Sequence, residues 1–136
     1  MDWIDDVVPH LTGLAHLATV GPDGRPAVAV VSCLADTDGV WAQTRRDSSK
    51  ARNIAVHPPV ALMWEGSAEV YVWGNAVLVD DVSTKQRRWS EWSYDASAFF
   101  GRADDSGVVL IHVRPERATL LAAGEAGPER RTWRAG

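Results

Sequence analysis

The stretch Leu14-Ala15-His16-Leu17-Ala18-Thr19-Val20-Gly21-Pro22-Asp23-Gly24-Arg25-Pro26-Ala27-Val28-Ala29-Val30-Val31-Ser32-Cys33-Leu34 decides how the fold is read. Two apolar runs, Leu14–Val20 and Pro26–Leu34, flank a segment rich in glycine and proline. Asp-Gly between such runs signals a hairpin, because glycine takes the positive φ that a tight turn demands. Pro26–Leu34 stays apolar at successive positions, as a strand covered on both faces does. Ala35-Asp36-Thr37-Asp38-Gly39 is the next turn signal and Val40–Thr44 a third strand, so the chain begins as a meander of neighbouring strands.

Toward the amino terminus, Trp3, Ile4, Val7, Val8 and Leu11 are spaced as in a helix, with Pro9 limiting its regularity. Beyond the third strand, Ser48–His57 reads as a short helix capped by Ser48 or Asp47 and ended by Pro58-Pro59. Val60–Trp64 and Glu69–Val79 are further strands, and Gly74 stands where a bulge is expected. Ser83-Thr84-Lys85-Gln86 fits a capping box opening a second helix. Gly107–Val113 and Arg117–Ala122 read as the last strands, and residues 124–136 as a loose tail. The expectation is one domain over residues 1–136, with a core of about 12–122. Its fold is mainly β with short α inserts, a small closed barrel of six or seven strands.

The 136 residues carry a formal net charge of −4, and 46% of them are hydrophobic. No apolar run approaches the ~18–20 residues of a membrane span, and Met1–Asp6 is acidic where a secretory leader is basic. The expectation is a cytoplasmic protein without a membrane partner. Mild acidity argues against nucleic acid as a partner. The one cysteine, Cys33, excludes an internal disulfide and reads as a buried, inert thiol. His10, His16, His57 and His112 lack ligand spacing, so no metal site is expected, and no hydrolase or phosphate-loop signature is present. Twelve arginines against two lysines, Lys50 and Lys85, make each lysine conspicuous.

The chemistry concentrates in Thr44-Arg45-Arg46-Asp47-Ser48-Ser49-Lys50-Ala51-Arg52. Residues 1–44 hold one basic side chain, Arg25, against six acids, whereas this stretch sets four basic groups around one aspartate. It joins a strand end to a helix start, where unpaired N–H groups and the helix dipole favour an anion. Ser48 and Ser49 add hydroxyl donors, Lys50 an ammonium, and Arg45 or Arg46 a guanidinium suited to phosphate. A capped surface helix with solvated charges would use the same residues, and Asp47 competes with an anion for the donors. From the residues alone both readings stand.

The run Leu17 through Pro26, then Thr44 through Asn53 with its Ser-x-Lys, then Pro59-Val60-Ala61-Leu62 and Val72 through Asp80, resembles the pyridoxamine 5′-phosphate oxidase-like split-barrel flavoproteins. Within them it is most similar to the general stress protein branch, through Ser83–Phe100 and Val108–Ala118. The resemblance covers about residues 12–120. It implies a six-stranded antiparallel split β-barrel of the FMN-binding type, a homodimer, and flavin mononucleotide in clefts between the subunits. Lys50 falls on the family's phosphate-binding lysine, with Ser48 and Ser49 beside it. Gln43 and Thr44 fall where the family contacts phosphate or ribityl, and the main chain of Val30, Val31, Ser32 and Cys33 falls along the isoalloxazine. Arg45 or Arg46 is a candidate replacement for an arginine that relatives carry where this chain has Ala29. Loss of that bidentate contact would weaken phosphate binding by roughly 1.5–3 kcal/mol.

The leading expectation is an FMN-dependent oxidoreductase passing a hydride through flavin N5, with a small organic substrate or nicotinamide donor. The alternatives are a deazaflavin-dependent reductase on the same fold and a non-catalytic flavin- or haem-binding stress protein. Among the seven tryptophans, Trp41, Trp64 and Trp73 read mainly as core or interface mass. Trp89 and Trp92 either staple the second helix to the barrel or shape the mouth of the cleft. Arg130-Arg131-Thr132-Trp133-Arg134 is basic and aromatic but does not match the oxidase's substrate-binding carboxyl-terminal motif convincingly, so vitamin B6 oxidation is not claimed.

Overall fold

A computed structural model describes all 136 residues. Seven strands form one antiparallel sheet: β1 (Leu14–Val20), β2 (Pro26–Asp36), β3 (Gly39–Arg45), β4 (Pro59–Glu65), β5 (Glu69–Val79), β6 (Val108–Gly124) and β7 (Gly127–Arg134). Their order is β3-β2-β1-β4-β5-β6-β7, and an additional β3–β6 pairing closes the first six into a barrel. Three α-helices accompany them, α1 (Ser49–Val56), α2 (Val82–Arg88) and α3 (Ala96–Phe100), and the helical spacing near the amino terminus forms two short non-α turns, Trp3–Val7 and Val8–His10. No helix is long and apolar enough to cross a membrane.

The first hairpin forms as its residues dictate. Leu14 pairs with Ser32 and Val20 with Pro26, and Gly24 in the turn takes φ 81°. Alternation then sorts the side chains: Ala15, Leu17 and Val31 point into the barrel, whereas Leu14, Val28 and Val30 stand outside, 64%, 70% and 59% exposed. The barrel interior is one cluster holding Leu17, Val40, Leu62, Trp64, Val70, Val72 and Ile111, and Ile54 of α1 belongs to it. Ser48 caps α1 by accepting the Ala51 N–H, and Asn53 donates to the Thr19 hydroxyl at 3.0 Å, tying the helix to β1. Gly74 lies at the register shift between β5 and β6, where a Cβ would strike the Arg114 carbonyl.

Four expectations need correction. Gly107–Val113 and Arg117–Ala122 belong to one 17-residue strand, β6, which serves β3 with its first half and β7 with its second. Residues 124–136 are no loose tail: β7 pairs with β6 from Arg117↔Arg134 to Gly124↔Gly127, and Trp133 packs on Trp3 at 5.0 Å between ring centroids. The β7 sequence shows little apolar alternation because the strand is mostly exposed, and it forms on the available edge of β6. The capping box at Ser83 is displaced by Asp81, whose carboxylate accepts the Thr84 N–H at 2.9 Å and the Thr84 hydroxyl at 2.6 Å. Finally, the segment from Val82 to Phe100 is two short helices, with Trp89 and Trp92 in the connection between them.

Trp92 is the staple of that insert. It packs with Ala96 of α3 on Trp41 and Leu110, on the outside of the barrel wall. Truncating such a side chain to alanine costs about 3–5 kcal/mol. Lys85 secures α2 from below. Only 1% exposed, it donates to the Asp80 carboxylate at 3.2 Å and to the carbonyls of Asp105 and Val108 at 3.2 and 3.0 Å.

Candidate functional site

β2 and β3 part company halfway along their length. Their ladder runs only from Cys33↔Ala42 to Asp36↔Gly39, and from Val40 to Arg45 β3 pairs with β6. Val30, Val31 and Ser32 keep β1 on one side and have no ladder partner on the other. Into this split opens a cavity of about 520 Å³, lined by Leu14, Val30, Val31, Ser32, Gln43, Thr44, Arg45, Ser48, Lys50, Ser93, Tyr94, Phe99 and Phe100. Its volume is that of a small-molecule site.

Eight of the ten residues singled out in the sequence meet in this cavity: Val30, Val31, Ser32, Gln43, Thr44, Arg45, Ser48 and Lys50. Cys33 and Ser49 are not brought to it. Cys33 opens the ladder with β3, and its side chain packs against the barrel core. Burial pushes its thiol up to about 12, which leaves it unreactive at neutral pH. Ser49 is the exposed first residue of α1, one position past the cap.

The donors are arranged unequally. The Ser48 Oγ accepts from Ala51 N and from the Thr44 hydroxyl, so its own proton remains free to donate. Lys50 makes no ion pair, although it lines the cavity. Arg45 reaches Asp105 only at 3.8 Å, and its guanidinium lies over Gly107, where a Cβ would come within 2.7 Å of Nη2. Arg46 turns away, with Nη2 2.5 Å from Asp80 and Nε donating to the Ser106 carbonyl at 2.9 Å. Of the two candidate arginines, the fold leaves Arg45 to the cavity and assigns Arg46 to the insert. Neither Asp47 nor Ala29 lines the cavity.

The insert reaches the cavity through residues that the sequence reading did not name. Tyr94 donates to Gln43 Oε1 at 2.7 Å, and burial, with the nearby Cys33 adding to it, pushes its phenol up to about 12. Phe99 meets Tyr94 edge-on at 5.4 Å and is 71% exposed at the mouth. The signal was the adjacency of the chain's only two phenylalanines, Phe99 and Phe100, in the same segment as Trp89 and Trp92. Neither tryptophan lines the cavity: Trp92 is buried under the insert and Trp89 donates to Ser97 Oγ. Trp73 lies outside the core, stacked on Tyr71 with Arg117 4.1 Å from its ring centroid.

The cavity is suited to a planar group ending in an anion. A strand edge with unpaired main-chain groups suits the polar rim of a ring, while Lys50, Ser48 and Arg45 suit a phosphate. Gln43 adds an independent observation. With Oε1 engaged by Tyr94, its amide nitrogen is buried without a partner, an arrangement that costs about 1–3 kcal/mol unless an acceptor arrives.

The split barrel defines a structural class, and comparison with known proteins places the chain within it. The sequence profile of pyridoxamine 5′-phosphate oxidase matches residues 8–122, and the chain belongs to that family. It is 28% identical over 129 residues to General stress protein 26 of Bacillus subtilis (strain 168), covering 90% of this chain and 89% of that protein. It is 34% identical over 103 residues to the pyridoxine/pyridoxamine 5′-phosphate oxidase of Mycolicibacterium paratuberculosis, covering 65% of this chain but only 46% of that longer enzyme. Among solved structures, General Stress Protein 26 from Bacillus anthracis str. Sterne superposes with a TM-score of 0.78 at 18% identity, covering 98% and 100% of the two chains. An F420 reductase superposes at 0.63 with 28% identity, covering 77% and 87%.

Proposed function

We propose that this chain binds flavin mononucleotide and acts as an oxidoreductase between the flavin and a small organic substrate or a nicotinamide donor, working as a homodimer. The observation that carries the reading is the meeting of an unpaired strand edge, Val30–Ser32, with the free donors of Lys50, Ser48 and Arg45 in one cavity. Those three side chains would hold the phosphate, and the strand edge and Gln43 would orient the ring. The isoalloxazine, when bound, supplies the hydride chemistry at N5. The protein's part is to bind, orient and exclude water: Leu14, Val30, Phe99 and Phe100 provide apolar walls, and Tyr94, neutral at physiological pH, fixes the Gln43 amide. No side-chain acid or base is assigned to the reaction.

Leu14, Val28 and Val30 support the dimer. They stand side by side on the outer face of the β1–β2 pair, and Leu14 and Val30 also line the cavity, so a second copy seated there would bury an apolar face and deepen the site. Pyridoxamine oxidation is not part of the proposal. Residues 130–134 lie in β7, paired with β6, and none of them lines the cavity.

A deazaflavin reading is favoured by one observation, the 28% identity to an F420 reductase. Titration with flavin mononucleotide, riboflavin and a deazaflavin, followed by tryptophan quenching, decides between them. Under the leading reading the purified protein is yellow, or takes up flavin mononucleotide, in preference to the other two. Colourless protein that no flavin quenches would overturn it, and preference for the deazaflavin would select the second reading. Tight binding with no turnover under any reductant would instead indicate a binding protein.

A further inference from the structure

A second concavity, of about 590 Å³, is bounded by the β2–β3 turn, β6 and α2, and the flavin reading makes no use of it. Its floor is rigid. Trp41 stacks on His112 with centroids 3.8 Å apart and planes 8° from parallel, and the Arg88 guanidinium lies 4.0 Å from the Trp41 ring centroid. Asp36 and Glu91 hold Arg88 at 2.9 and 3.1 Å, and His112 Nε2 lies 2.7 Å from the Asp38 carbonyl. The Arg88 side chain is only 9% exposed, and its Nε has no partner.

Around this floor the charges are not balanced. Arg87 and Arg114 both line the concavity, and neither makes an ion pair. Asp38 is the only carboxylate in the lining, beside the hydroxyl of Thr37. Three guanidiniums line one depression, and with Arg88 paired to Asp36 and Glu91 the other two stay unpaired beside a single lining carboxylate. Arg88, neutralised and fixed, shapes the site; Arg87 and Arg114 are left to bind.

We propose that this concavity binds a small phosphate monoester. A tetrahedral phosphate has enough oxygens to accept from both free guanidiniums at once, over a floor already ordered by the protein's own contacts. Asp38 repels a second anionic group at the turn and accepts instead from a hydroxyl, which selects a compact hydroxylated ester over an extended polyanion. The site is separate from the flavin cavity, sharing no lining residue with it, and the proposal does not depend on flavin binding.

The test is ¹⁵N-resolved NMR of the full chain titrated with glycerol 3-phosphate, and separately with inorganic phosphate, at constant ionic strength. Saturable shifts are expected at the amides of Thr37, Asp38 and Arg87. They are also expected at the Trp41 indole N–H, which donates to the same Asp36 carboxylate that holds Arg88. Arg87→Gln and Arg114→Gln should each weaken binding roughly ten-fold or more, the worth of a charge-assisted hydrogen bond. Both arginines are exposed, and the spectrum itself reports that the variants are folded. Lys50→Ala, which disables the first cavity's anion cluster, should leave these shifts unchanged. Shifts confined to residues 48–50, a linear response without saturation, or variants that titrate like the parent chain would each overturn the proposal.

Discussion

The chain's two lysines carry the same group into opposite surroundings. Lys85 is sealed beneath α2 with three oxygen acceptors around its ammonium, which accounts for all three of its donors. Lys50, the second residue of α1, lines the cavity at the β2–β3 split and has no carboxylate partner. The contrast extends to their neighbours: Arg46 joins Lys85 on Asp80, whereas Arg45 stays with Lys50, held only by a distant Asp105. Charge that is satisfied internally holds the fold together, and charge left free beside a cavity is available to a ligand.

The sharpest way to break this contrast is to remove each lysine. Lys85→Ala should lower unfolding free energy by about 2–4 kcal/mol, since the buried bond to the Val108 carbonyl is lost, the Asp80 carboxylate loses a partner and a cavity opens. Urea denaturation measures this, and an unchanged midpoint would place Lys85 outside the structural role given to it. Lys50→Ala should shift stability by no more than about 0.5 kcal/mol. Its effect should fall on flavin mononucleotide affinity, weakened roughly ten- to a hundred-fold, with riboflavin, which lacks the phosphate, nearly unaffected.

The arginines sharpen the comparison further. Arg45→Glu should weaken flavin mononucleotide binding about as much as Lys50→Ala does, and Arg46→Glu should act mainly on stability by repelling Asp80. Equal losses of affinity from both reversals would erase the division of labour between them.

Acid titration probes the same network. Hydrogen bonds from Arg46 first and Lys85 second hold the Asp80 carboxyl below its ordinary value of 3.8. A depressed carboxyl contributes stability while it is ionised and loses that contribution as pH falls through its folded-state value. The stability gap between the parent chain and Asp80→Asn should therefore be flat above about pH 5 and narrow below the ordinary carboxylate range. The smallest effect is expected at Asp105. Its ion pair with Arg45 spans 3.8 Å between half-exposed side chains, so Asp105→Asn should tighten flavin mononucleotide binding only a few-fold, again without changing riboflavin.

Much of this was readable from the residues, wherever partners are close in sequence. The Asp-Gly hairpin, the Ser48 cap with its helix, the Pro58-Pro59 stop and the bulge at Gly74 each depend on a few adjacent positions. The capping of α2 was misread because Asp81 and Ser83 are both good caps, and Asp81 prevails by engaging the amide and hydroxyl of Thr84 together. Trp73 reads as core or interface mass yet lies outside the core, whereas of the two readings open for Trp92 the fold takes the staple and buries it beneath the insert.

By itself the sequence determined the first five strands with their turns and the cap of α1, and it marked residues 44–52 as the place where donors gather, because these are local matters of propensity, φ and charge spacing. Only the tertiary structure decided that β3 leaves β2 for β6 and so opens the cavity. It also decided that Arg45 faces that cavity while Arg46 faces Asp80, that Tyr94 and Phe99 rather than Trp89 and Trp92 wall it, and that the last residues form β7. Each of these outcomes rests on contacts between segments far apart in the chain, and such contacts follow from which faces the closed barrel leaves to be covered. No short window of residues contains that information.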